Sequence, residues 1–282
     1  EKKRPEFRGL NLTYRSMLSV VKYFNKFDVE KFKADKKGQK FIYDEDYELL
    51  KKFVDENGIK VRTLDVQIVD IADEIAYAAH DLEDGLRVKA FTIDEILHDY
   101  KAEYGESESY SIFEKNVIEA REKAGYGTNK IDSTQYSKLF RQELASRLIN
   151  LALNDIDLIP VTDAMRNKTN TMQNEELGFK KYEELIHGLK DIVFRCINHN
   201  DDVYHYEQRG RKVIKFLKEL YTTEKMYLPP EYRAKEIMDQ YDDLKDADSD
   251  KLQSRLICDY IAGMMDSYAI SVYEKFSGQK FM

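Results

Sequence analysis

Asp73, Tyr77 and Asp81 recur at i, i+4 and i+8 in the stretch LDVQIVDIADEIAYAAHDLEDG (64–85), and Asp70 and Asp84 extend the stripe at either end. On an α-helix this spacing sets four carboxylates and a phenol on one face. Stacked carboxylates repel, and burying them without a cation, a hydrogen-bond donor or a water-filled cleft is costly. Two readings follow: a metal or a polyhydroxylated ligand supplies the partners, or the stripe is the solvated side of its helix. Val66, Ile68, Val69, Ile71, Ile75, Ala79 and Leu82 fill much of the remaining circumference. The pattern therefore predicts a helix over 64–85 that is buried around most of its girth and organises the rest of the chain.

The elements that must position this stripe read as helices. The 282 residues hold only 4 Pro and 12 Gly, with no proline between Pro5 and Pro160, a composition suited to an all-α protein. Helical spacing predicts segments at 10–23, at 41–57 closed by Gly58, and at 92–104, where Thr92 and Glu95 form a capping box. Further segments are expected at 111–124 and at 134–158, the latter ending before Pro160. A polar stretch at 162–178 reads as an exposed flap. Helices then resume at 182–198, at 203–227 in two pieces, at 231–241 after Pro229 and Pro230, and at 251–276. No strand pattern and no repeat stands out. The expected architecture is about ten helices, divided into 1–160 and 161–282 or continuous between them.

The net charge of −8 gives no global field for nucleic acid. Cys196 and Cys258 lie in apolar helical patterns without metal-type spacing, which reads as reduced, buried thiols of a cytoplasmic protein. No apolar run of membrane-spanning length occurs.

Two stretches, QIVDIADEIAYAAHDLEDGL and RLICDYIAGMMDSYAISVY, resemble the bacterial dGTP triphosphohydrolase family, a branch of the HD-domain phosphohydrolases. GLNLTYRSMLSVVKY, FRQELASRLINLALND and the run from Val203 through GRKVIKFLKELY to LPPEYR extend the resemblance over nearly the whole chain in the right order. The resemblance implies an all-α fold and a divalent metal such as Mg or Mn. That metal is held by a His, a His-Asp pair and a distant Asp, here Asp73. All five histidines, at 80, 98, 187, 199 and 205, follow Asp73, so the chain resembles the part of the enzyme after the HD doublet.

On the same pattern Tyr77 would pack against the sugar and exclude a 2′-hydroxyl, while Asp81 would accept from the 3′-hydroxyl. Lys22 and Tyr23 match a pair near the polyphosphate, and Lys37 in KKGQK is a weaker match. Other residues read as structural: His80 turned from the stripe, the His98-Asp99 dipeptide, Tyr136 and Arg141 on the long helix, and Gly263 and Asp266 in AGMMDSYA, a stretch whose small residues favour close helix packing.

The expected function is metal-dependent hydrolysis of dGTP or other dNTPs to deoxynucleoside and triphosphate, with this chain supplying the distal metal Asp and the sugar pocket. The alternative is a catalytically inactive helical module for nucleotide binding or oligomerisation. Partners raised by the resemblance are a dNTP substrate, a dNTP effector and a second copy of the chain; single-stranded DNA has no support from the charge, and no membrane is expected.

Overall fold

The computed structural model describes residues 12–34, 39–126, 132–198 and 201–281. The helices run α1 (Tyr14–Leu18), α2 (Val29–Ala34), α3 (Asp44–Asn57), α4 (Leu64–Val88), α5 (Ile93–Tyr104), α6 (Glu108–Gly125) and α7 (Ser133–Leu153). A hairpin of β1 (Ile156–Pro160) and β2 (Glu175–Phe179) encloses α8 (Asp163–Thr169), and α9 (Glu183–Asn198) follows. The remainder is α10 (Asp201–Thr223), α11 (Ala234–Gln240), α12 (Ser249–Ala262) and α13 (Asp266–Ser277). The all-α class expected from composition holds, with one short antiparallel hairpin added among the described residues.

Two compact units emerge, Glu1–Ile197 and Asn198–Met282. A division at 160/161 would fall inside the first of them, at the end of β1. In the first unit α4 lies against α7, and α7 against α6. Its core joins Ile75, Ala78, Ala79 and Leu82 of α4 to Leu144 and Leu148 of α7, Phe113 and Val117 of α6, and Leu189 and Ile192 of α9. Each large apolar side chain so buried contributes about 1.5–3 kcal/mol, against about 0–1 kcal/mol for a surface ion pair. The apolar face of α4, and not its exposed acids, therefore fixes where the helix sits.

The opposite side of α4 departs from expectation. Leu64 (59%), Ile68 (53%) and Val69 (59%) are exposed, as is Ala72. Burial around most of the girth is thus corrected to burial of one face.

Near the start, the helix expected over 10–23 contracts to α1, because the chain turns after Leu18 and places Phe24 beside Leu50, Val54 and Val61 in a small cluster of its own. The capping box at Thr92 and Glu95 is present in full, and Gly58 closes α3 at φ 60°, a left-handed turn that suits glycine.

The long helix expected to reach Leu158 ends at Leu153. Asp155 accepts from the backbone N–H groups of Lys181 and Tyr182, and the chain beyond it pairs with β2 in the register Ile159↔Glu176. A continuous apolar run conceals such a helix-to-strand change. The stretch expected to be an exposed flap is tied down: Thr162 caps α8, and Thr169, Thr171 and Glu176 are buried.

In the second unit Val213, Leu217, Tyr221, Leu228, Ile257 and Tyr273 form the core. The helix expected over 251–276 breaks between Ala262 and Asp266. Gly263 ends α12, where a Cβ would meet only its own helix's carbonyls at Asp259 and Tyr260, while Ala269 of the same stretch packs against the core. The thiols are also less hidden than expected, Cys196 being half-buried and Cys258 exposed. No helix among the described residues is long and apolar enough to cross a membrane.

Candidate functional site

Helix α4 presents Asp73, Tyr77 and Asp81 along one edge of its exposed side, with the Asp73 side chain 42% and Tyr77 44% exposed. The four acids of the stripe have different surroundings. Asp84 pairs with Arg87 at 2.9 Å on the surface. Asp70 receives Arg62 Nη2 at 2.7 Å and Lys22 Nζ at 2.5 Å. Burial works to raise the Asp70 pKa, but hydrogen bonds from Lys22 and Arg62 outweigh it and hold the carboxyl below its ordinary value. Asp73 receives Lys22 Nζ at 3.1 Å.

Asp81 has no ion pair or hydrogen bond among the described residues. Its pKa is raised, first by burial and then by the neighbouring charge of Asp84, which together outweigh the opposing charge of His80.

Lys22 is held from two sides. Its backbone carbonyl accepts from Arg62 Nη1 at 3.0 Å, and its ammonium bridges Asp70 and Asp73. Burial works against the Lys22 charge, but the hydrogen bonds to Asp70 and Asp73 prevail and raise its pKa. Tyr23 follows, with the Lys22 ammonium 5.8 Å from its ring centre. Both line a cavity of about 140 Å³ together with Arg62, Glu74, Lys168 and His187. The pair expected near a polyphosphate is therefore brought to the acid stripe. Lys37 lies outside the described residues.

Sequence reasoning missed Arg62, which organises this arrangement. It sits just before α4 at φ 59°, an uncommon conformation for a side-chain-bearing residue. Its guanidinium also donates to Glu176 on β2 at 2.9 Å, and Thr171 hydrogen-bonds the same carboxylate. Glu176 is 1% exposed. The partners Arg62 and Glu176 stand 114 residues apart, and no local periodicity links them.

Also missed were Glu74 and Lys190, paired at 2.7 Å, with the Lys190 ammonium 5.2 Å from the centre of the Tyr77 ring. Glu74 falls in the helical pattern of α4, but nothing near Lys190 in sequence marks it as a partner of Tyr77.

Most of the residues read as structural stay apart from the stripe, although the charge of His80 works to lower the Asp81 pKa against burial and Asp84. His80 and His98 are exposed, and Asp99 meets Cys196 Sγ at 3.5 Å. Arg141 donates to Ser137 and stands 3.8 Å from Glu83. Asp266 opens α13 and accepts from Tyr206.

Among the described residues no group of three or more His, Cys, Asp or Glu could hold a metal ion. Asp73 offers one carboxylate, and a lone carboxylate does not fix a divalent cation against water. The residues present do not by themselves fit the expected metal.

The sequence profile of the phosphohydrolase-associated domain matches residues 179–275. The deoxyguanosinetriphosphate triphosphohydrolase-like protein 2 of Vibrio cholerae is 36% identical over 99% of this chain and 62% of its own length. Proteins with the same triphosphohydrolase-like designation from Thiobacillus denitrificans and Deinococcus radiodurans are 24% and 26% identical over 98% and 97% of the chain. The chain spans 62% to 64% of the length of these three relatives. Over nearly its whole length, the chain is thus similar to dGTP triphosphohydrolase-like proteins, and its residues 179–275 match the phosphohydrolase-associated domain.

Proposed function

We propose that this chain forms the sugar- and phosphate-facing wall of a deoxynucleoside triphosphate triphosphohydrolase. The observation that carries the reading is the half-exposed edge of α4, where Asp73 and Lys22 meet, Tyr77 presents its ring, and Asp81 lacks a partner. A carboxylate that is partly desolvated and unpaired is a ready acceptor for a hydroxyl, and the 3′-hydroxyl of a nucleotide is the donor we assign to Asp81. A phenol beside C2′ rejects a 2′-hydroxyl by steric exclusion, which filters more strongly than one missing contact. Lys22, held between two carboxylates, is a compact point charge that can face a polyphosphate, and Tyr23 borders it.

The divalent ion of the family would need ligands beyond Asp73. We assign those to polypeptide outside this chain, lying against the exposed apolar residues Leu64, Ile68 and Val69 that flank the stripe.

The test is release of triphosphate from dGTP with manganese or magnesium, by this chain alone and again with the residues that precede it in its gene. Negligible turnover alone and clear turnover in the longer polypeptide are expected. Turnover by the chain alone refutes the division of the site, and none in either preparation supports a nucleotide-binding or assembly module. Within the active preparation, Asp73→Asn should remove most turnover, and substantial activity at saturating metal would remove Asp73 from the site.

A further inference from the structure

Lys190 reaches the stripe from a different helix. It projects from α9, whose Leu185, Leu189 and Ile192 belong to the same core as Ile75, Ala78 and Leu82 of α4. Its ammonium sits 2.7 Å from Glu74 Oε2 and 5.2 Å from the centre of the Tyr77 ring. Glu74 precedes Tyr77 by three residues, so one face of α4 supplies both the anion that anchors the cation and the ring that the cation covers. Glu74 is itself mostly buried and has His187 Nε2 at 3.8 Å, which limits where its carboxylate can go.

A cation above an aromatic face is attracted by the electron-rich ring and favours one orientation of it. Tyr77 nevertheless remains 44% exposed, so covering by Lys190 leaves ring surface free for a ligand. A tyrosine can measure the difference between a hydrogen and a hydroxyl at C2′ only if its ring does not swing aside when the larger sugar arrives.

We propose that Lys190 is a positioning residue for sugar discrimination. Anchored by Glu74, it holds the Tyr77 ring in place, so that the uncovered surface forms a fixed wall against C2′ of a deoxyribose. The inference rests on the assignment of Tyr77 to the sugar, and its test separates the two.

In the preparation that turns over dGTP, kcat/KM is measured for dGTP and GTP with the unaltered protein, Tyr77→Ala, Lys190→Met and Lys190→Arg. Tyr77→Ala should lower the dGTP to GTP ratio. Lys190→Met should lower it about 3- to 30-fold, while Lys190→Arg, whose guanidinium also sits on aromatic faces, should keep it near the original. In parallel, the chain carrying ring-labelled tyrosine is studied by NMR, with the Tyr77 signal identified by its loss in Tyr77→Phe. Lys190→Met should shift that signal.

An unchanged ratio in Tyr77→Ala removes the sugar assignment and this inference with it. A changed ratio in Tyr77→Ala but not in Lys190→Met overturns the role of Lys190 alone. Equal loss in the Met and Arg variants, or an unmoved Tyr77 signal, also overturns it, because the effect would then not come from charge held against the ring.

Discussion

Arg62, just before α4, and Asp81, within it, illustrate opposite electrostatic situations. The Arg62 guanidinium satisfies Glu176, Asp70 and the Lys22 carbonyl at once. Removing one partner of a buried ion pair leaves an uncompensated charge, so Arg62→Met should destabilise the first unit by about 3–5 kcal/mol in urea unfolding. Arg62→Lys should recover little, because a single ammonium cannot reproduce a planar fork reaching three acceptors.

Asp81 has a folded-state pKa above its unfolded value. Its ionisation therefore costs stability at neutral pH, a cost that disappears once both states are protonated below about pH 4. Asp81→Asn should raise the melting temperature at pH 7, with the gain shrinking as the pH is lowered towards 3; no gain at pH 7 would contradict the burial of this carboxyl. The stripe of acids was legible in the sequence because helical spacing shows which residues share a face. Which acids are neutralised was not legible, since Lys22 and Arg62 reach Asp70 through a turn and a left-handed backbone that spacing does not encode.

Helices with local signals were read correctly from the sequence. The Thr92–Glu95 box appears as expected, and Thr92→Ala should cost about 1 kcal/mol of stability by thermal or urea unfolding. A loss well under that value would mean that Glu95 alone caps the helix. Elements whose form depends on distant partners were misread. β1 continues the apolar run of α7, and only its pairing with β2 and the capture of Lys181 and Tyr182 by Asp155 make it a strand. The same holds for 162–178, whose polar composition suggests a loose loop although its buried Thr171 and Glu176 form part of the site's support. The shortened α1 belongs here too: Leu18 and Phe24 are drawn into a separate cluster that helical periodicity does not reveal.

At the scale of the whole molecule, the exposed apolar residues of α4 carry the main physical consequence. Leu64, Ile68 and Val69 stand together on a helix face beside a charged stripe, and contiguous apolar surface of this kind favours association. Replacing Ile68 with Glu and Val69 with Lys should shift the isolated chain towards monomer in sedimentation velocity while leaving its melting temperature nearly unchanged. A monomeric unaltered chain at the same concentration would contradict this. Fold class was legible from the scarcity of proline and glycine together with helical spacing. The boundary at Ile197/Asn198 was not, because it falls between two helical patterns with no change of composition to mark it.

The long reach of the Arg62–Glu176 pair also sets an order of events during synthesis. The 114 residues between the partners take roughly 6 to 23 s to translate at about 5–20 residues per second. Through that interval α4 can already have formed, yet the guanidinium of Arg62 just before it lacks its principal anion, so the residue that grips both Lys22 and Asp70 is itself not yet anchored. The supporting frame closes only when β2 has left the ribosome. Completion of the site is thus a late event in the life of the nascent chain, even though the acids that define it emerge early.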